Sequence, residues 1–144
     1  MSEALTDFFR SYADLYNRAL AGEEVYGDIQ ARFCHCFVSA GPEGVACGGN
    51  GEDFLKVLRE GYDFYRRIGT KKMTFKRIEA TAIDEAHQMA KVFYAADYVK
   101  KSGERVTIDF DVTYMVRMAD TPMRIFAFVA GDEMGLYRKH GLVD

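Results

Sequence analysis

Three long runs of β-forming residues between positions 87 and 132 constrain this chain more than any other feature. They cover residues 89–99, 106–117 and 123–130, and all three are rich in β-branched and aromatic side chains. The interruptions at 100–104 and 118–122 carry Gly, Ser, Asp and Pro, which are the residues of tight turns. The pattern predicts two successive hairpins, and therefore an antiparallel sheet against which the rest of the chain must pack.

The turn positions predict which side chains share a face of this sheet. Because side chains alternate with a period of two, a loop over 100–104 places odd residues of the first strand beside odd residues of the second. A loop over 119–122 places odd positions of the second strand beside even positions of the third. One predicted face is almost wholly apolar and includes Tyr94, Tyr114, Ile125 and Val129. The other face mixes aromatic and acidic residues: Lys91, Phe93, Asp97, Asp109, Asp111, Thr113, Met115, Phe126, Phe128 and Asp132.

Neither predicted face is polar enough to lie fully in water. A solvated antiparallel sheet normally has one apolar and one polar face, so we expect both faces of this sheet to be covered. Helices from the N-terminal half can cover one face. The other is then a predicted homodimer interface, because so large an apolar patch is unusual on a monomer.

Composition excludes several classes of protein. The 144 residues fit one domain, taken as 1–144, with a sizeable core. A net charge of -3 is too small to indicate a nucleic-acid or membrane partner. Nothing resembles a signal peptide or a transmembrane span, so the expected compartment is the cytoplasm.

Cys34-His35-Cys36 is the local pattern that most suggests a metal site. Paired zinc ligands are usually separated by two to four residues, and no second pair follows this one. With Cys47 the thiols number three, and an odd number fits reduced cysteines. We therefore expect neither a metal nor a cofactor.

The N-terminal half predicts helices that can pack on the sheet. Apolar residues recur at three- and four-residue spacing from Leu5 to Leu20, and Gly22 can end this first helix. Tyr12 and Tyr16 lie on the apolar stripe, so their hydroxyls should point inward.

The rest of that half predicts a short helix, a strand, a helix and a further strand, over residues 25–32, 33–40, 51–68 and 73–83. The glycine-rich stretch 47–51 lacks the lysine of a phosphate-binding loop, so we interpret it as a turn in which Asn50 caps the next helix. Helices gathered on one side of an antiparallel sheet predict an α+β domain.

This order of elements and several local strings resemble the nuclear transport factor two-like superfamily. Its members include ketosteroid isomerase, scytalone dehydratase and SnoaL-type polyketide cyclases. The strings that carry the resemblance are residues 8–17 with Gly22-Glu23, 37–44, 65–69, 108–112 and Gly131-Asp132-Glu133. The resemblance implies a strongly curved, mixed and mostly antiparallel sheet wrapped around the long N-terminal helix. With two further helices it would form a cone with an apolar internal pocket, and the outer sheet face would commonly form a dimer.

The resemblance also implies a site. It places Tyr12 near the oxyanion-hole tyrosine of the isomerase, and Asp111 near an aspartic acid that an apolar environment keeps neutral. The general base of the isomerase should fall near Ser39 or Ala40, and neither residue is a carboxylate.

The acids of the second face form a predicted cluster, with neighbours separated by roughly 5–8 Å. Either they form an exposed charge ladder, or they lie in a pocket in which Asp111 donates a proton and Asp109 lies nearer the rim. In the pocket alternative Tyr12 or Tyr16 adds a hydroxyl, and His35 is the nearest base for neutral pH. The predicted walls for a hydrophobic ligand are Phe9, Tyr16, Phe93, Met115, Phe126 and Phe128.

Three functions remain open from the sequence. The first is a cofactor-free isomerase, dehydratase or cyclase that acts on a hydrophobic carbonyl compound by general acid–base catalysis. The second is a pocket that binds such a molecule without converting it. The third is a dimerising scaffold whose cone is filled with its own side chains.

Overall fold

The computed structural model describes residues 2–144 as four helices around one six-stranded sheet. The helices are α1 (Ser2–Leu20), α2 (Tyr26–Gln30), α3 (Glu52–Arg67) and α4 (Glu133–Lys139). The strands are β1 (Phe33–Gly41), β2 (Gly44–Gly49), β3 (Thr70–Ala82), β4 (His87–Val99), β5 (Arg105–Arg117) and β6 (Arg124–Ala130). The predicted α+β class is confirmed.

The sheet has the order β2-β1-β6-β5-β4-β3. β1 and β6 run parallel, and every other neighbouring pair is antiparallel, so the sheet is mixed and mostly antiparallel as predicted. β2 and β3 lie at its two edges, so it is an open sheet. Register shifts interrupt the pairings of β1 with β6, β3 with β4 and β5 with β6, and such bulges bend a strand and increase its twist.

The first predicted hairpin has the expected register. Val92 lies opposite Val112 and Tyr94 lies opposite Phe110, as a turn over 100–104 requires. We call the side that carries these four residues the inner face, because α1 packs on it. The opposite side is the outer face.

The second hairpin departs from the prediction because β6 contains an extra residue. Val116 lies opposite Ile125 as predicted, but Met115 lies opposite Ala127, which leaves Phe126 between the two pairs. A single inserted residue exchanges the two faces for the rest of the strand. Phe128 therefore lies opposite Tyr114 on the inner face. Val129, predicted to share a face with Tyr94 and Tyr114, lies on the outer face and is 55% exposed.

α1 packs against the inner face through the apolar stripe predicted from its sequence. Leu5 and Phe9 are fully buried, and the Phe9 ring centroid lies 4.5 Å from that of Tyr114. Burial of each such side chain contributes about 1.5–3 kcal/mol. Asn17 fixes the position of the helix, because its amide donates to the Met73 carbonyl at 2.9 Å and accepts from the Met73 amide at 2.8 Å.

Two elements were not predicted from the sequence. β2 pairs with β1 where a turn was expected, and all six of its residues are exposed. α4 follows β6 directly, capped by the Asp132 carboxylate, which accepts from the Gly135 amide at 3.0 Å. α4 is thus a third helix besides α1 where two were expected, and it buries Tyr137 against Tyr98.

Asn50 does not cap α3, contrary to the prediction. Gly51 occupies the N-cap position, and no side chain bonds there. The Asn50 amide instead donates to the carbonyls of Gln30 and Phe33, at 2.7 and 3.1 Å. It therefore joins the end of α2 to the start of β1.

Candidate functional site

A cavity of about 270 Å³ lies between the inner face of the sheet and helices α1, α3 and α4. Of the nine tyrosines in the chain, all of which the structure describes, eight line this cavity. They are Tyr12, Tyr16, Tyr62, Tyr65, Tyr94, Tyr98, Tyr114 and Tyr137. Phenylalanine, aliphatic and Met73 side chains and one carboxyl, that of Glu133, complete the wall, so the cavity is mostly apolar with hydroxyl groups distributed over it.

Helix and strand periodicity explain why so many tyrosines meet there. Tyr12 and Tyr16 are four residues apart on α1, and Tyr62 and Tyr65 are three apart on α3, so each pair shares a helix face. Tyr94 and Tyr98 are four residues apart on β4, which places both on one side of the strand.

Tyr94 and Tyr114 form a hydroxyl pair at the sheet side of the cavity. Their oxygens are 2.8 Å apart, and both residues are buried. One hydroxyl must donate to the other, which leaves one hydrogen of the pair free to donate elsewhere. A hydroxyl that accepts one hydrogen bond is polarised into a better donor for the next.

Glu133 is the one acid among the described residues that line the cavity. It begins α4, directly after the Asp132 cap. Burial raises the pKa of the Glu133 carboxyl above its ordinary value, and the nearby Tyr137 hydroxyl offsets part of that rise. Within residues 2–144, no Lys, Arg or His lines the cavity, so the carboxyl has no basic side chain there as a partner.

The cavity tyrosines are hydrogen-bond donors at neutral pH. Burial raises the pKa of Tyr12 to about 12, and the charge on Glu133 adds to the rise. Burial also raises the pKa of Tyr98 to about 12 and that of Tyr114 well above its ordinary value. All three hydroxyls therefore stay protonated near pH 7, and the carboxyl of Glu133 is the group that can gain or lose a proton.

The structure brings three of the predicted site residues to the cavity. Tyr12 and Tyr16 reach it from α1, and Phe128 reaches it from β6 after the inserted residue at Phe126. Their roles toward a ligand stay predictions.

The predicted acids lie elsewhere, and this is a correction to the expected site. Asp109 and Asp111 are exposed on the outer face, because Ile108, Phe110 and Val112 alternate with them and face inward. Asp111 therefore cannot act as a proton donor deep in the cavity. Both residues fit the alternative in which the acids form an exposed charge ladder on the sheet. His35 is likewise exposed, in the stretch of β1 where the pairing with β6 is interrupted.

Four of the predicted ligand walls are also absent from the cavity lining. Phe9 is fully buried in the core beneath it, packed on Tyr114. Phe93, Met115 and Phe126 belong to the outer face. The Arg77 guanidinium covers Phe93 at 3.8 Å from the ring centroid, and His87 packs edge-on against Phe126.

The sequence contained a partial signal for Glu133, which the prediction missed. Asp132 is a favoured N-cap residue, and an acid in the first helical turn is typical of a helix start. These signals predict α4 but not the direction in which Glu133 points, which depends on how α4 packs against the cavity.

Two further features bear on the kind of site. Across residues 2–144, no three His, Cys, Asp or Glu side chains come close enough to hold a metal ion. None of the helices that the structure describes combines the length and the apolar character needed to cross a membrane.

Comparison with known proteins identifies the fold. A family model described as NTF2-like protein (DUF6841) matches residues 2–133. Among curated proteins, none matches the chain. The structure resembles an NTF2-like protein with a cystatin-like fold from Novosphingobium aromaticivorans, with a TM-score of 0.70 and 11% identity over 99% of this chain and 88% of that one.

Two other solved structures are similar. Aln2 from a Streptomyces species has a TM-score of 0.66 and 12% identity over 96% of this chain and 94% of that one. A ketosteroid isomerase-like protein from Erwinia carotovora has a TM-score of 0.57 and 16% identity over 83% of this chain and 86% of that one. At such identities the likeness establishes the cystatin-like cone fold alone.

Proposed function

This chain belongs to the NTF2-like protein family (DUF6841), and from that premise we propose that its tyrosine-lined cavity binds a compact, uncharged carbonyl compound on which Glu133 moves a proton. One observation carries the proposal. The Glu133 carboxyl borders an apolar cavity whose other polar groups are tyrosine hydroxyls. The acid in this proposal therefore differs from the acids predicted from the sequence.

The size and charge of the cavity support an uncharged ligand. A volume of about 270 Å³ lies just below the range of roughly 300–1,000 Å³ typical of ligand pockets, which favours a molecule of one or two rings. An anionic ligand would bring a second negative charge beside Glu133 without a countercharge, and burial of unpaired charge is costly. An uncharged carbonyl oxygen can instead accept a hydrogen bond from a tyrosine hydroxyl, and no additional charge is then buried.

The groups present suit proton transfer at a carbon next to a carbonyl. In the proposed step the Glu133 carboxylate removes that proton, and the electron pair moves onto the carbonyl oxygen. The free hydrogen of the Tyr94–Tyr114 pair would donate to this oxygen. In a ketone with a carbon–carbon double bond beside that carbon, the electron pair is shared with the far end of the double bond. Return of the proton from Glu133 to that far carbon then moves the double bond into conjugation with the carbonyl and completes an isomerisation. A carboxyl whose pKa is raised above its ordinary value is well suited to both steps.

Replacement of Glu133 by Gln tests this chemistry, because the amide keeps the size of the side chain but cannot move a proton. We expect Glu133→Gln to bind 2-tetralone within about threefold of the unmodified protein. Exchange of the ketone's α-hydrogens for deuterium, followed by proton NMR, should slow by about 10²-fold or more. Asp111→Asn is a matched control on the outer face and should leave the exchange rate unchanged. Equal exchange in the Gln variant would remove Glu133 from the mechanism.

A binding protein without catalysis is a second candidate. The end of β1 favours it, because the position expected for the general base of the isomerase is occupied by Ser39 or Ala40. Neither residue has a carboxylate that could remove a proton. Tight binding of 2-tetralone with no exchange above the background rate would favour this candidate over the enzyme.

We also propose that the outer face of the sheet forms a homodimer. Met89 is 37% exposed and Val129 is 55% exposed on this face, beside the partly exposed rings of Phe93 and Phe126. Light scattering after gel filtration should give twice the chain mass, and Val129→Asp should give the monomer mass. A monomer before substitution would contradict this proposal.

A further inference from the structure

A groove lies beside the cavity, between the β1–β2 hairpin and the first turns of α3. Its volume is about 640 Å³. Three residues, Phe54, Val57 and Phe128, line both the groove and the tyrosine cavity. The groove is therefore adjacent to the proposed site and not a separate feature of the surface.

Small residues on two paired strands create the groove. Phe37 on β1 is buried and lies opposite Gly48, and Ser39 lies opposite Ala46, so these four residues share one face. At Gly48 an added Cβ would meet no heavy atom of the described residues within 4 Å. Ser39, Ala46 and Gly48 thus leave open the space that larger side chains would fill against α3.

The boundary between groove and cavity is aromatic at its base and open at its rim. Phe54 packs on Phe37 at 4.7 Å between ring centroids, and Phe128 lies 6.4 Å from Phe37. Val57, which lines both spaces, is 60% exposed. Val57 therefore presents apolar surface both to the groove and to the cavity.

The start of α3 brings negative charge to the groove. Glu52 and Asp53, the first residues of α3, both line it and are both exposed. Neither forms an ion pair among the described residues. A carboxylate or phosphate beside these two residues would be repelled, so the chemistry favours an uncharged apolar chain.

We propose that the ligand has two parts, a compact ring that occupies the tyrosine cavity and an unbranched apolar chain that extends over Val57 into the groove. This inference rests on the proposed function, because it assumes that the ring binds in the cavity. It adds the groove as a second subsite and a chain-bearing aryl ketone as the substrate class.

A series of phenyl ketones with increasing chain length tests the proposal. Acetophenone, butyrophenone, hexanophenone and octanophenone share one ring and carbonyl and differ only in the alkyl chain. Calorimetric titration should give an affinity that rises roughly fourfold for each methylene that becomes fully buried in the groove. Equal affinities along the series would overturn the two-part ligand while leaving the proposed cavity intact.

Substitutions on the two faces of β2 test whether the alkyl chain of the ketone lies in the groove. Gly48→Leu should fill the groove, keep the acetophenone affinity within twofold, and abolish the gain from longer chains. Ala46→Leu fills the same groove two residues away and should act in the same way, so the test does not depend on one variant folding. Val45→Leu is the control, because Val45 is 74% exposed and alternates with Ala46, and it should preserve the full chain-length dependence.

The remaining outcomes separate the two levels of inference. If acetophenone and the longer ketones all fail to bind, the proposed function fails with the inference. If all the ketones bind and neither Leu variant alters the dependence of affinity on alkyl-chain length, the alkyl chain lies outside the groove. The two-part ligand position is then wrong, and the proposed cavity still stands. If Gly48→Leu changes the mass in solution and not the ketone affinity, the groove is a contact between copies of this chain, which also overturns the inference.

Discussion

Glu133 links the stability of the protein to pH. Burial raises the pKa of its carboxyl in the folded chain above the value of about 4.3 for an exposed Glu. The folded state therefore binds this proton more tightly than the unfolded state. The resulting stabilisation is fully present below the unfolded pKa and is lost as the pH rises through the raised folded pKa.

We accordingly expect Glu133→Gln to lack one component of the pH dependence of unfolding. The free energy of unfolding of the unmodified protein, compared with that of the variant, should fall as the pH rises from about 4.3 through the raised pKa of the folded state. The reason is that the Glu133 carboxyl must ionise in a buried site, whereas the amide of the variant does not ionise. Urea denaturation from pH 4.5 to 8 measures the difference. A constant difference in unfolding free energy across this range would show that the carboxyl is not buried.

The Tyr94–Tyr114 hydroxyl pair makes a second prediction for single residues. Tyr94→Phe or Tyr114→Phe leaves one buried hydroxyl without its partner, which should cost about 1–2 kcal/mol of unfolding free energy. Replacement of both should cost less than the sum, because no orphaned hydroxyl remains. A double-mutant cycle by chemical denaturation measures the coupling, and additive losses would mean that the two hydroxyls do not interact.

Gly69 terminates α3 at a place where two elements come very close. Its φ of 93° is unfavourable for residues with a side chain, and an added Cβ would lie 2.1 Å from the Val99 carbonyl oxygen. The Val99 amide also donates to the Gly69 carbonyl at 2.9 Å, so the backbone cannot move away without losing this bond.

Gly69→Ala should therefore destabilise the fold by about 2–4 kcal/mol. Gly27→Ala is the matched control, because Gly27 lies in α2 with open space around it. It should gain about 0.5–1 kcal/mol from helix propensity. Thermal and urea denaturation of both variants compare them directly, and a small loss for Gly69→Ala would contradict the close approach.

At the level of elements, local patterns were sufficient where one period dominates. The stripe of α1 and the alternation in β4 and β5 predicted these elements because each buries one face continuously. β2 was missed because Gly44, Gly48 and Gly49 have low strand propensity. Its strand conformation is stabilised by pairing with β1, which local propensity does not report. The extra residue at Phe126 has no signal in the alternation of a strand of seven residues.

At the level of the whole molecule, the sequence predicted the cone. The predicted site was wrong because its acids lie on the outer face of the sheet and not on the face that lines the cavity. The alternation along β5 correctly separated Asp109 and Asp111 from Phe110 and Val112. Which set faces the cavity depends on where α1 and α3 pack, and burial decides in favour of the apolar set. Tyr12 and Tyr16 could be placed because they belong to the helix that packs inside.

Methionines distributed over the molecule allow the proposed ligand position to be measured directly. Met73 lines the cavity, while Met89 and Met115 lie on the outer face. Protein carrying ¹³C-methyl methionine can be titrated with acetophenone and followed by NMR. We expect the Met73 methyl resonance to shift with saturation while the Met89 and Met115 resonances stay in place. Saturable shifts at Met89 and Met115 with an unchanged Met73 would place the ligand on the outer face and contradict a tyrosine-lined binding cavity.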